Sequence, residues 1–251
     1  MNKIAVLLTV YNRIQLTIKC LDHFYKAAEK TPNIEYDIYL TDDNSSDDTD
    51  SKISKLYPKI RLIKGSGKLF WCRGMILAWE YALNQDIDYD GYLWLNNDSF
   101  IYENSLNSFL KWSKEKNDQS IISGAFQSDI TGKPTYGGRL NGQVMNLAPN
   151  GTLQSIDWLN GNFVLIPKYV YNKIGILDPI FHHAIGDYDY GMRAKQNGIG
   201  LYLSKEYIGT CEDRNKLQGC YDKNNNLFKR FRIFYSPLGD DPFQRFVFLR
   251  R

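Results

Sequence analysis

Apolar and polar positions alternate along this chain in blocks, not at random. Ile4 to Val10 is a continuous β-prone apolar run, the pattern of a strand covered on both faces. Leu16, Cys20, Leu21 and Phe24 then recur at helical spacing, with Asn12 placed to cap that helix. Tyr36 to Leu40 reads as a second strand, and the polar stretch Asp42 to Asp48 leads into a helix near 47–56. Ile60 to Ile63 is a third strand, and Gly65-Ser66-Gly67 a turn. Met75, Ala78, Trp79 and Ala82 mark the next helix, and Tyr92 to Leu95 a fourth strand ending at Asn96-Asn97-Asp98. A helix over Glu103–Lys114 and a strand at Ile121–Ser123 continue the rhythm, which predicts an α/β fold with a mostly parallel sheet flanked by helices.

Residues 126–157 lose this regularity and read as an insertion of loops and hairpins. Trp158 to Pro167 is expected to be one strand. Helices at Lys168–Ile174 and Asp187–Asn197 come next, separated by the Leu177–Gly186 loop. No internal repeat or low-complexity tract interrupts the pattern.

Composition narrows the class. The chain has 251 residues, enough for a full core without a disulfide or metal staple. Cys20, Cys72, Cys211 and Cys220 are widely spaced and form no C-x-x-C pair, which fits a reduced, cytoplasmic protein. The first apolar run is half a membrane span in length and carries no cleavage site, so neither a signal peptide nor a transmembrane helix is expected. A net charge of +3 gives no argument for nucleic-acid binding. Lys229, Arg230, Arg232, Arg245, Arg250 and Arg251 nevertheless crowd the end of the chain, interleaved with aromatic and aliphatic residues. That basic aromatic segment, 214–251, either lies peripherally on the inner face of the plasma membrane or packs back on the domain.

Ligands of an open parallel sheet bind beyond the carboxyl ends of its strands. Three polar clusters occupy such ends: Thr9/Tyr11/Asn12, Asp42-Asp43-Asn44 and Asn96-Asn97-Asp98. They should converge on one edge. Asp98 is placed to hold a divalent cation against a diphosphate, and Asp43 to accept hydrogen bonds from a pyrimidine or ribose. Asp47 and Asp48 read as a solvated helix start. No Walker A loop and no G-x-G-x-x-G are present, which excludes P-loop and dinucleotide enzymes by those signatures.

Thr9-Val10-Tyr11-Asn12-Arg13, Asp42-Asp43-Asn44-Ser45, the segment Gly65 to Met75, Leu95-Asn96-Asn97-Asp98-Ser99 and Gly186 to Arg193 resemble, in order, the signatures of family 2 glycosyltransferases. The likeness runs from residue 3 to about 213, and bacterial rhamnosyltransferase-like enzymes of surface polysaccharide synthesis are the branch it resembles. It implies a GT-A catalytic domain over 1–213, with a nucleotide-binding half to about residue 100 and an acceptor half beyond. It further implies inversion at the anomeric carbon, a UDP- or dTDP-sugar donor, a saccharide or polyprenyl-linked acceptor, and Mn2+ or Mg2+.

By that likeness Thr9, Tyr11, Asn12 and Asp43 hold the nucleoside, with Lys68, Trp71 and Arg73 near the nucleotide or its phosphates. Asp98 contacts the metal in an element that reads Asn96-Asn97-Asp98, where the family's D-x-D has a first aspartate. Asp187 is the catalytic base, or else a helix cap; Asp189 supports the fold. Asn97, Trp158, Asn160, Gly161 and His183 line the donor-sugar and acceptor pocket. His182 and His183 read as structural or acceptor-side groups. Around Cys211-Glu212-Asp213, where relatives place a metal-binding histidine, there is none, and Cys211 reads as a small buried hydrophobe. Two other readings remain: a sugar nucleotidyltransferase, against which the lack of glycine in Thr9–Arg13 counts, and a non-catalytic carbohydrate-binding protein on a decayed transferase fold.

Overall fold

The structure is a computed structural model that describes residues 1–213 and 219–251. Its elements run β1 (Lys3–Val10), α1 (Ile14–Ala28), β2 (Glu35–Asp42), α2 (Thr49–Leu56), β3 (Arg61–Lys64), α3 (Phe70–Leu83), β4 (Gly91–Leu95), β5 (Phe100–Ile101), α4 (Ser105–Glu115) and β6 (Ile121–Gln127). They continue through β7 (Pro134–Tyr136), β8 (Gly138–Arg139), β9 (Gln154–Ser155), β10 (Trp158–Leu159), β11 (Phe163–Pro167), α5 (Lys168–Ile174), α6 (Gly186–Gln196), β12 (Leu201–Thr210), α7 (Leu227–Phe234) and α8 (Pro242–Leu249).

The main sheet has the order β3-β2-β1-β4-β11-β6-β12-β5. Parallel pairing runs from β3 to β4, β11 is antiparallel to both β4 and β6, and β12 returns parallel to β6. Strand order reverses beside β1: β2 lies on one side and β4 on the other. The crevice of such a switch point is where an open α/β sheet receives ligands. Apolar side chains cover both sheet faces. One face packs Trp79, Trp94 and Tyr190 beneath α3 and α6. The other packs Phe24, Phe109 and Phe163 beneath α1 and α4.

Three local expectations are corrected. Trp158 to Pro167 is two strands, because Asn160-Gly161-Asn162 turns the chain out of the small β8–β10 sheet and into the main one. Asn12 does not cap α1: it has φ 58, and its Oδ1 accepts the Ser46 amide at 2.8 Å. The α1 amide of Ile14 donates instead to Asp47 Oδ2 at 2.8 Å, so Asp47 ties the second loop to the first helix rather than simply facing solvent. Neither the short β5 nor the ten-residue β12 is marked by the sequence pattern. Irregular pairing of β12 with β6, shifted between Leu203 and Gly209, blurs its two-residue alternation.

The boundary expected at 213/214 abuts residues outside those described. Beyond them come α7 and α8, and α8 packs back on the domain: Val247 and Phe248 join the core beneath α3 and α6. Arg251 pairs with Asp178 and with the fully buried Asp189, which Arg193 also holds at 2.9 Å. Asp189 thus has the supporting role expected of it.

Gly209 is where β12 meets β5, opposite Ile101. A Cβ there would lie 2.2 Å from the Phe100 carbonyl oxygen. Gly209→Ala should therefore push β5 off the sheet edge and destabilise the protein by roughly 1–3 kcal/mol in urea unfolding.

Candidate functional site

The site is organised by the first turn of α3. Asp43, at the end of β2, is buried, and its Oδ1 accepts the Gly67 amide at 2.7 Å while Oδ2 accepts Leu69 and Phe70 at 2.9 and 3.1 Å. A carboxylate at a helix N-terminus satisfies amides that have no partner within the helix and complements its dipole. Gly65 permits the approach, since a Cβ would sit 2.7 Å from Asp43 Oδ1. Gly67 supplies the left-handed turn at φ 83.

From this anchor the residues of α3 reach outward. Trp71 Nε1 donates to Asn96 Oδ1 at 2.7 Å, and the ring lies against Gly161, where a Cβ would come within 2.4 Å of it. The Cys72 amide donates to His182 O at 3.0 Å. Arg73 Nε donates to Pro179 O at 2.9 Å, which directs Arg73 to the loop between α5 and α6. Gly74 packs on Thr9, and its carbonyl accepts from Thr41 Oγ1 at 2.9 Å.

Asp187 lies in the first turn of α6, half-buried, on the far side of Gly161. Its Oδ2 accepts the Gly161 amide at 3.0 Å and its Oδ1 the Tyr188 amide at 2.9 Å. A continuous chain Asn96–Trp71–Gly161–Asp187 results. Burial pushes the Asp187 carboxyl up to about 6, against the pull of those amides and of nearby Arg139. A carboxylate with that value is poised to accept a proton near neutral pH. The preceding Ile185 has φ 72, a costly conformation for a β-branched residue, at the point where the chain enters this helix.

Around Asp187 the small sheet supplies a polar and aromatic wall. Asn160 Oδ1 accepts the Gly137 amide at 3.2 Å, Arg139 donates to the Tyr188 hydroxyl at 2.6 Å, and Trp158 meets Tyr188 edge-on at 5.9 Å. His183 Nδ1 faces the Trp71 amide at 3.4 Å. The neighbouring His182 amide donates to Gln244 Oε1 of α8 at 3.0 Å, and burial lowers the pKa of its ring.

Other predicted residues behave differently. Tyr11 is 57% exposed and Lys68 is exposed, both at the rim. Asn97 is buried and turned away, donating to Thr17 Oγ1 at 3.0 Å. Asp98 lies 3.6 Å from Arg13 Nη1. Among the described residues no three His, Cys, Asp or Glu side chains cluster, so no all-protein metal cage exists there. One partly exposed carboxylate fits a cation that arrives with a diphosphate and shares its oxygens.

The partners Asn96, Arg139, Tyr188 and Gln244 were not foreseen as site residues. Asn96 carried a signal in its motif position. Arg139 and Gln244 carried none, since they arrive from an irregular insertion and from the chain end.

The family described as Glycosyl transferase family 2 matches residues 5–181, so Asp187 lies just beyond the matched span. No curated protein matches the sequence significantly. Among solved structures, the crystal structure of S. aureus TarS 1–349 in complex with UDP-GlcNAc is similar at a TM-score of 0.62 and 13% identity, covering 98% of this chain and 73% of that one. The crystal structure of S. aureus TarS 1–349 matches at a TM-score of 0.60 and 14% identity, covering 99% of this chain and 73% of that one. The longer S. aureus TarS structure matches at 0.60 and 12%, covering 92% of this chain and 42% of the other. At such identities the likeness establishes a shared GT-A-like fold.

A raised carboxyl pKa means the folded state binds the proton more tightly than the unfolded one. Its contribution to stability is therefore fully present below about pH 4 and is lost as pH rises through about 6. Thermal melts from pH 4 to 8 should show wild-type protein losing stability relative to Asp187→Asn up to about pH 6, then running parallel to it. A constant difference across that range would mean the carboxyl titrates normally.

Proposed function

The chain belongs to glycosyl transferase family 2, and from that premise we propose that it is an inverting transferase moving a sugar from a UDP- or dTDP-linked donor to a saccharide or lipid-linked saccharide acceptor in bacterial surface polysaccharide synthesis. The observation that carries this reading is Asp187, a carboxylate with a pKa of about 6, held by two amides and joined through Gly161 and Trp71 to the strand end that bears Asp98. The TarS complex with UDP-GlcNAc, on a similar fold, favours UDP as the nucleotide. The rhamnosyltransferase-like branch rests on the motif likeness alone.

In this reading the nucleoside lies along the β1 and β2 ends, at Thr9, Tyr11, Asn12 and Asp43. Asp43 already holds three amides, so its contribution is to fix the loop that a base or ribose would contact. Lys68 and Arg73 would face the phosphates, Arg73 from its contact with the Pro179 carbonyl. Asp98 would hold a divalent cation together with the diphosphate, and that cation would stabilise the charge developing on the leaving group. Trp158, Asn160, Gly161 and His183 border the space in front of Asp187. There an acceptor hydroxyl loses its proton to Asp187 while its oxygen attacks the anomeric carbon opposite the departing nucleoside diphosphate.

The competing non-catalytic reading draws on Asn96 in place of an aspartate and on Arg13 beside Asp98. A thermal-shift panel of UDP, dTDP, GDP and CDP, with and without Mn2+ or Mg2+, tests the donor half. One pyrimidine diphosphate at about 100 times its dissociation constant should stabilise by roughly 2.7 kcal/mol. Asp98→Ala should remove the metal-dependent part of that shift. Asp187→Asn should keep nucleotide binding yet lower transfer by roughly 10²–10⁴-fold. Wild-type transfer should rise with pH to a plateau above an apparent pKa near 6. Nucleotide binding with Asp187→Asn as active as wild type would remove the base assignment; no nucleotide shift at all would favour the non-catalytic reading.

A further inference from the structure

Exposed apolar side chains are densest along the last two helices. Every exposed phenylalanine among the described residues, Phe228, Phe231, Phe243 and Phe246, lies on α7 or α8. No residue of α7 is buried, although the helix is regular and its N-cap Asn226 accepts the Lys229 amide at 2.8 Å. An eight-residue helix gains little from its own backbone, and its stability in a protein comes from burying one face. Leu227, Phe231 and Tyr235 recur every four residues with Phe228 beside them, so the apolar stripe of α7 faces outward, flanked by Lys229 and Arg232. On α8 the division is clear: Gln244, Val247 and Phe248 turn inward, while Phe243, Phe246 and Leu249 face out beside Arg245 and Arg250.

Charge identifies the occupant. Residues 227–251 hold six cations and two carboxylates, more positive charge than the whole chain at +3. Both carboxylates are already engaged, Asp240 with Arg245 and Asp241 capping α8. A second copy docking on this face about a two-fold axis would set cations against cations. An apolar stripe bordered by lysine and arginine instead matches a surface of acyl chains beneath anionic headgroups.

We propose that the outward faces of α7 and α8 dock on an anionic phospholipid bilayer. The inner face of α8 is fixed to the pocket. Gln244 holds the His182 amide, Phe248 lies 5.8 Å from Trp158, and Arg251 reaches Asp189 at 2.6 Å. Docking through α8 therefore sets the wall beside Asp187 in a defined relation to the membrane, the arrangement a lipid-linked acceptor requires. Only that last purpose rests on the transferase reading; the docking itself does not.

Flotation of the full chain with vesicles of phosphatidylcholine, alone or mixed equally with phosphatidylglycerol, tests it. The protein should partition onto the anionic vesicles and be released by high salt. Lys229→Gln with Arg232→Gln should weaken partitioning about 25-fold, from about fivefold for each cation lost. Phe228→Ser with Phe231→Ser should weaken it at least tenfold. All four positions lie on α7, which has no buried residue, so unchanged melting temperatures verify that the variants fold. Flotation that ignores both pairs of substitutions, or no flotation with anionic vesicles, overturns the proposal. So does a dimer in sedimentation that Phe228→Ser with Phe231→Ser dissolves. Nucleotide shifts measured on the same samples report separately on the transferase reading.

Discussion

Three backbone amides at the start of α3 converge on one buried carboxylate, Asp43, and the rest of the site is built from that convergence. It fixes where the helix begins and so where Trp71, Cys72, Arg73 and Gly74 point. Each then makes a different contact: Trp71 with Asn96 and Gly161, Cys72 with His182, Arg73 with Pro179, Gly74 with Thr9 and Thr41. Within the site, the glycines at 65, 74, 161 and 186 each stand where a Cβ would collide with a neighbouring side chain. Close approach of this kind leaves little room for relaxation, because packed interiors resist volume changes of even one methylene. The strand ends carrying the polar clusters are thereby held in one arrangement.

Within that frame Asp187 carries a tension. Burial favours its neutral form, while two amides and Arg139 favour its charge. The balance leaves its pKa at about 6, above that of an ordinary aspartate, which costs stability above that pH and supplies proton affinity near it. Strain at Ile185 and the turn at Asn160-Gly161-Asn162 lie on either side of the same carboxylate. Such local costs persist only where the surroundings enforce them. Here the enforcing groups are the α3 turn on one side and the Asp189–Arg193–Arg251 cluster on the other.

The alternating strands and helices of the first 125 residues were legible in the sequence because uniform apolar runs and 3.6-residue spacing report burial directly. The three strand-end clusters were legible for the same reason. The features that escaped are non-local. Asn160-Gly161-Asn162 is a turn signature within Trp158–Pro167, but the exchange of one sheet for another there depends on partners remote in sequence, β8 before the turn and β4 after it. Asn12 has the composition of a cap, yet Asp47 does that work from the next loop. Asn97 looks like a pocket residue by motif, but Thr17 draws it into the core. The family match covers residues 5–181 and so carries the fold and the nucleotide side further than the proposed base Asp187, which rests on the motif likeness of Gly186–Arg193 and on its geometry.

The contact between Arg13 and Asp98 links these scales. Both side chains are partly exposed, so the pair is worth at most about 1 kcal/mol. It therefore orients the two groups more than it stabilises the fold. Arg13 has φ 62 and comes directly after Asn12 at φ 58, a left-handed pair that turns the chain sharply between β1 and α1. Ser45 and Asp47 hold this turn through the amides of Asn12 and Ile14 at 2.7 and 2.8 Å. The loop after β2 thus sets the conformation of the loop after β1, which in turn presents a cation to the carboxylate after β4. Three strand ends that the sequence could only place on a common edge are in this way made mechanically dependent on one another. The partly exposed ion pair at their junction is weak enough for a ligand with charge of its own to compete with it.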